Sequence, residues 1–267
     1  MRRTSWLFNV VGVVFVGLFI IFPLYWSVRT AVSPARFRGF WPTEFTLENF
    51  DFLFQRNGFM RNVKNSVIVA CSSTALVIPL SVSAAYALAR FDFPGKRLTL
   101  LVFLLPLVPS IAVLVPLILF MRTLHLLNTH AAVVIGNTVF TLPFAIWMLR
   151  GFFLQLPREL EEAARIDGAS RLQTLYRIVL PLSAPGLIAV AIFALINSWN
   201  NYLYSFAFVS KSDLQVVPAR LLGFIEAFGT NYGGMNAAGL VTMVPPLTFF
   251  LIFQRWFVQG ITEGSVK

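Results

Sequence analysis

LPRELEEAARIDGASRLQTLYRIVLPLSAP, residues 156–185, is a charged interruption between two long apolar runs. Its pattern predicts a helix, a glycine turn and a second helix. Pro157 suits the first turn of a helix, where its missing N–H costs nothing. Arg158 to Asp167 reads as a short helix that ends at Gly168, a residue free to adopt a left-handed cap. Ser170 opens the second helix, with Gln173 three residues on as its capping-box partner. Leu172, Leu175, Tyr176 and Val179 give that helix an apolar stripe, and Pro181 marks the turn into the next run. On the first helix Glu161 and Arg165 are four apart and are expected to pair, worth about 0.3–0.5 kcal/mol. That leaves Glu162 available to a cation from outside the chain. Ala163 and Ala164 keep the helix small enough on one side to enter a cleft. The same pattern also fits an amphipathic helix lying on a membrane surface.

Outward from this stretch lie six uncharged runs, at 6–28, 65–89, 98–121, 131–149, 184–209 and 236–254. Each is near the ~20 residues that a helix needs to cross a bilayer. The third contains Pro106, Pro109 and Pro116, and the sixth Pro245 and Pro246. Proline frees backbone carbonyls that only protein or cavity water can satisfy at that depth, so these two helices are expected to be kinked and packed inside a bundle. Composition agrees: 57% of residues are hydrophobic and 12% charged, against about 25% charged in a soluble domain. The mean hydropathy is +0.76. The expected fold is an all-α membrane protein with six transmembrane helices, residues 1–267 forming a single transmembrane domain and 157–183 a surface segment. The first run is longer than the ~7–15 apolar residues of a cleaved signal and is expected to remain as a membrane helix.

Basic residues set the orientation. Arg2 and Arg3, then Arg90, Lys96 and Arg97, then Arg150, Arg158, Arg165, Arg171 and Arg177 fall on one face if the helices alternate. That face is expected to be cytoplasmic, with both termini inside. The net charge of +10 therefore reads as loop charge facing membrane lipid, not as a nucleic-acid surface, since no basic cluster alternates with aromatic residues. Cys71 is the only cysteine and sits in an apolar run, as a packing residue. His125 and His130 read as solvated loop histidines, and no His, Cys and carboxylate cluster has metal spacing. No glycine-rich loop ends in Lys-Ser or Lys-Thr, so the chain is expected to bind no nucleotide and catalyse no reaction.

The central stretch resembles the inner-membrane permeases of bacterial and archaeal ABC importers. Their EAA motif reads Glu-Ala-Ala, three residues, Gly, nine residues, Ile, one residue, Leu-Pro. Here Glu162, Ala163, Ala164, Gly168, Ile178, Leu180 and Pro181 stand at that spacing, with Asp167 before the glycine. AYALARFDFPGK (85–96), LLNT (126–129) and GITEGSVK (260–267) are similar to the carbohydrate branch, the MalG-like permeases. His125 stands where that branch commonly has glycine, and the tail lacks its frequent final glycine. The resemblance implies a subunit of the bacterial or archaeal cytoplasmic membrane that imports a sugar, with a polyol or glycerol-phosphate as the alternative. It implies a second, MalF-like permease, two ATP-binding cassette subunits that use ATP and Mg, and an extracytoplasmic solute-binding protein. It also implies that the first short helix is a coupling helix docked on an ATPase subunit, with Glu162 meeting a basic partner and Gly168 supplying the turn.

Polar groups inside apolar runs face a partner helix or a cavity, because lipid offers them nothing. Asn197, Trp199, Asn200, Asn201 and Tyr202 are the densest set, with Asn137 and Thr138 in the fourth run. Amides bond hydroxyls and rings cover apolar sugar faces, so these residues are candidates for the solute path. They also suit helix-to-helix glue, and Trp199 and Tyr202 suit an interfacial aromatic belt. A proton-coupled transporter is disfavoured, since the runs hold no Asp, Glu, Lys or Arg.

Overall fold

The structure, a computed structural model, describes residues 2–34, 39–42, 44–56, 58–101, 103, 108–221 and 231–265. The described residues are helical, with no strand among them. In order they form α1 (Arg2–Ala31), α2 (Glu48–Asp51), α3 (Phe59–Arg90), α4 (Lys96–Leu100), α5 (Leu114–Thr123), α6 (His130–Gln155) and α7 (Arg158–Ile166). α8 (Arg171–Leu182), α9 (Ala184–Asn200), α10 (Leu203–Phe208) and α11 (Tyr232–Ser265) follow.

Four helices are long and apolar enough to cross a membrane: Gly12–Ala31 within α1, α3, α6, and Tyr232–Gln254 within α11. α8 and α9 together make a fifth if their pair, bent by 82°, is one span. Two of the expected spans differ from a single helix. The 98–121 run breaks: α4 stops at Leu100, and α5 begins only after a tight 3₁₀ turn at Ser110–Val113. Pro109 stands extended before that turn (φ −56°, ψ 127°), because its ring cannot sit beneath the carbonyl four residues back in a helix. Pro116 falls in the first turn of α5, where no N–H is needed. Pro106 lies outside the described residues. The 184–209 run also breaks, at Asn201 (φ −78°, ψ 111°). The Asn201 Oδ1 accepts the Tyr204 N–H at 3.5 Å, which favours a new helix start over continuation. α11, by contrast, runs unbroken through Pro245 and Pro246.

Contacts divide the chain into two compact units. In residues 1–60 with 220–244, the Asn49 amide donates to the carbonyls of Ala31 (2.8 Å) and Ser33 (3.1 Å). This satisfies the carbonyls left open where α1 ends. The Arg29 guanidinium donates to the Gly39 carbonyl, and Tyr25 Oη donates to that of Phe40 at 2.8 Å.

The larger unit, 61–219 with 245–267, has two cores. One joins α3, α6, α8 and α9 through Val77, Ala85, Leu149, Phe153, Val179 and Val190. The other joins α3, α5, α6 and α10 through Val69, Met121, Val133, Tyr204, Phe208 and Val216. α3 and α6 therefore run in the same direction, from the second core to the first. α9 meets α6 closely at Gly186, where a Cβ would lie 2.4 Å from the Phe152 ring. Small residues at such crossings let membrane helices gain contact without a hydrophobic driving force.

Candidate functional site: a hinged helix pair at one end of the bundle

α7 begins after Pro157 and ends in a Schellman turn. Gly168 takes φ +86°, its N–H reaches the Arg165 carbonyl (3.1 Å), and the Ala169 N–H reaches that of Ala164 (2.9 Å). Ser170 then caps α8 through a full capping box: Gln173 N–H donates to Ser170 Oγ, and Gln173 Oε1 accepts the Ser170 N–H at 2.8 Å. The expected helix, turn and helix are thus present. The bend into the next helix comes at Ser183, two residues beyond Pro181. The turn just before Pro181, Leu175–Val179, is widened to a π turn. Such a turn relieves the missing N–H and the ring clash that proline imposes. The expected apolar stripe of α8 divides: Leu175 and Val179 are buried, whereas Leu172 and Tyr176 are exposed. Ile178 and Leu180 are half-buried and Pro181 is exposed.

The two motif alanines part company. Ala164 is buried in the chain's own packing, whereas Ala163 faces outward with Leu160, Glu162, Asp167 and Ile166, the last 87% exposed. An exposed Leu-Ala-Ile strip at i, i+3, i+6 is a surface without its cover. Glu162 makes no ion pair among the described residues.

The expected Glu161–Arg165 pair is absent. Glu161 instead turns to α3. Its Oε1 accepts Arg90 Nε at 2.5 Å and its Oε2 accepts Tyr86 Oη at 2.8 Å. Arg90 Nη2 also donates to the Leu156 carbonyl at 3.0 Å. Both charged side chains are largely enclosed, 6% and 12% exposed. A buried guanidinium and carboxylate outbid an exposed i,i+4 contact, because each gains hydrogen bonds where water is scarce. Tyr86 is braced edge-on by Phe91 and Phe153, and Arg171 lies 4.7 Å over the Phe91 ring. Tyr86, Arg90, Arg158, Glu161, Glu162 and Arg171 line a recess of 130 Å³ here. Beside it, Asp92 is held below the usual carboxylate range by its hydrogen bond from Lys96 and by that ammonium's charge. The sequence reading used Arg90 only as an orienting charge and passed over Tyr86. Both lie in AYALARFDFPGK, the stretch that carried the resemblance.

The solute-path candidates scatter. Asn137 and Thr138 are buried: Asn137 donates to Ser198 Oγ at 2.8 Å and Thr138 to its own helix at Val134. Asn137 thus joins α6 to α9. Trp199 is 1% exposed, so it is a core residue and not part of an interfacial belt. Asn201 starts α10. Asn197 and Asn200, one turn apart on α9, are exposed, as is Tyr202. His130 Nε2 lies 3.1 Å from the Leu214 carbonyl. Among the described residues no three metal-ligating side chains converge.

Four helices long and apolar enough to cross a membrane, with a hinged helix pair at one end of the larger unit, are the frame of a membrane protein. The chain belongs to the family of binding-protein-dependent transport system inner membrane components, whose model matches residues 77–263. That makes it the permease subunit of an ABC importer. It is 34% identical over 272 residues to the arabinooligosaccharides transport system permease protein of Halalkalibacterium halodurans, covering 98% of this chain and 96% of that one. It is 34% identical over 266 residues to the diacetylchitobiose uptake system permease protein of Streptomyces coelicolor, covering 97% and 96%. Its fold matches a chain of a bacterial ABC transporter that imports the acidic polysaccharide alginate, with a TM-score of 0.80 at 22% identity, over 96% of this chain and 98% of that one.

Proposed function

We propose that residues 1–267 form one transmembrane domain, half of the path of a sugar importer in a bacterial or archaeal cytoplasmic membrane. The relatives named for oligosaccharides support the sugar. A second permease supplies the other half. Two ATPase subunits use ATP and Mg, this chain holding no cofactor, and an extracytoplasmic protein delivers the solute. Six crossings are built from the four long helices, the bent pair α8–α9 with α10, and the broken 98–121 segment. The end of the larger unit where α3 and α6 meet α7 carries Arg90 on α3, Arg158 and Arg165 on α7, and Arg171 and Arg177 on α8, which supports a cytoplasmic position for that end and, by alternation, for both termini.

The observation that carries the reading is the uncovered face of α7. Leu160, Ala163 and Ile166 face outward beside an unpaired Glu162, at the basic end of the bundle. A groove on an ATPase subunit with a basic residue at its rim would cover the strip and meet the carboxylate. α7 is then the coupling helix, Gly168 and Asp167 its hinge, and Ile178, Leu180 and Pro181 the support that carries α8 into α9. Nucleotide binding biases the bundle between outward and inward states. For the solute, Asn197 and Asn200 offer exposed amides with Tyr202 nearby, suited to sugar hydroxyls and an apolar sugar face. Asn137, Thr138, Trp199 and Asn201 shape that wall from behind.

Replacing Glu162 with Ala should reduce capture of the ATPase subunits from mild detergent by about tenfold, as loss of one charge-assisted contact does. Uptake of labelled oligosaccharides by cells should stop on ATP depletion and survive an uncoupler. Undiminished capture by Glu162→Ala, or uptake that follows the proton gradient, would refute the reading.

A further inference from the structure

The contact between Glu161 and α3 has no part in the motif or in the function proposed above. α7 is joined covalently to α6 through residues 156–157 and to α8 through 167–170, and each joint is a bend. Leu156 is extended (ψ 130°) and Gly168 is left-handed. A displacement of α7 could be absorbed at both. α3 has no direct joint to α7: Arg90 and Glu161 are 71 residues apart along the chain, with α4, α5 and α6 between them. Yet α3 is the longest helix that is shared between the two cores of the larger unit. Among the described residues, Glu161 makes the side-chain hydrogen bonds that run from α7 to another helix. Both of its oxygens are used, and both point to one turn of α3, on Tyr86 and Arg90. Arg90 also holds Leu156, so the joint between α6 and α7 is tied to the same guanidinium. Two bonds at separate oxygens fix orientation as well as distance, which one bond does not.

We infer that Tyr86, Arg90 and Glu161 are positioning residues that lock α7 to the end of α3, so that a displacement of α7 moves α3 as a rigid extension instead of dissipating at the two bends. The inference rests on the docking reading of α7. In this arrangement the clamp stays closed in every nucleotide state. The long helix follows the coupling helix directly, and α8 and α9 follow it through the hinge.

The test uses the complex purified from its own membrane with its native partners, in a Cys71→Ser background. Spin labels go on Glu159 of α7 and Ser83 of α3, both exposed and outside the clamp. The distance distribution between them is measured without nucleotide and after trapping with ADP and vanadate. The inference requires the same narrow distribution in both states. It also requires Glu161→Gln to broaden it or make it state-dependent, with ATPase activity per unit of transport-competent complex rising about tenfold, within the range that site couplings carry. Tyr86→Phe keeps its ring in the core, is not expected to disturb folding, and should show a smaller change in the same direction. A distribution that shifts between states in the unaltered clamp overturns the inference. So does a Glu161→Gln protein that stays as narrow in both states. A cross-link from Ala163→Cys to an ATPase subunit separates the two failures. If the cross-link forms and the distance shifts, only the clamp is wrong. If it does not form, the docking reading falls and takes the inference with it.

Discussion

At the scale of single residues, the hinged pair depends on backbone freedom at one position and on side-chain size at two. A Cβ on Gly168 would meet nothing within 4 Å, so a substitution there costs only its φ of +86°. For an ordinary L residue that is about 1–2 kcal/mol, and more for a β-branched one. Gly168→Asn should therefore keep ATPase capture near that of the parent, whereas Gly168→Val should lose most of it while still inserting. Equal capture by the two variants would show that the turn is not what matters. Ala163 and Ala164 are separated by facing. Ala164→Leu should lower the melting midpoint through overpacking, a cost of about 1–3 kcal/mol. Ala163→Leu should leave the midpoint alone and lose ATPase capture. Matching thermal shifts in the two proteins would contradict the burial difference seen between them.

At the scale of elements, what the sequence made legible was local chemistry. Gly168, Ser170 and Gln173 specify a left-handed cap and a capping box, and both form, whereas Pro157 stands extended (ψ 134°) one residue before the first turn expected to hold it. What it hid were the choices made between distant groups. Glu161 had Arg165 at the right helical spacing, but Arg90 and Tyr86 offered it a drier site that no local pattern records. The break at Asn201 hides in an apolar run because hydropathy averages over a window, whereas one side-chain oxygen decides a helix start. Trp199 near the end of a run resembles a belt residue until the packing around α9 encloses it. The crossing of α9 on α6 is equally non-local. Gly186→Ala puts a methyl 2.4 Å from the Phe152 ring and should lower the melting midpoint by overpacking. Adding Phe152→Ala should return part of that loss, because the clash is removed, although Phe152→Ala alone destabilises. Strictly additive losses in the double variant would mean that the two residues do not touch.

At the scale of the larger unit, the two cores are closed by different devices, and the ends should respond separately. The α7 end is tied by an ion pair. The opposite end is tied by amides: Asn62 Nδ2 donates to the carbonyls of Ser212 and Gln215, each at 2.8 Å, and Asn65 Nδ2 to that of Asp213 at 2.8 Å. Ser66 and Ser205 hydroxyls accept the N–H groups of Val217 (2.8 Å) and Val216 (3.0 Å). The 209–217 segment is thus held on α3 and α10 by polar bonds to its backbone. Asn62 is 2% exposed, so Asn62→Leu would take the side-chain donor from the Ser212 carbonyl and leave that of Gln215 with its 3.1 Å bond from Asn65, at a cost of about 1–3 kcal/mol. Opening that segment relieves the penalty, and opening also frees the Val216 and Val217 amides. Their hydrogen exchange should speed by about tenfold, the equivalent of ~1.4 kcal/mol. The amides of Gly168 and Ala169 are bonded within their own turn at the far end and should exchange as before. An acceleration shared equally by both pairs would show that the two cores unfold as one, and that a perturbation at one end reaches the other without any displacement of α7.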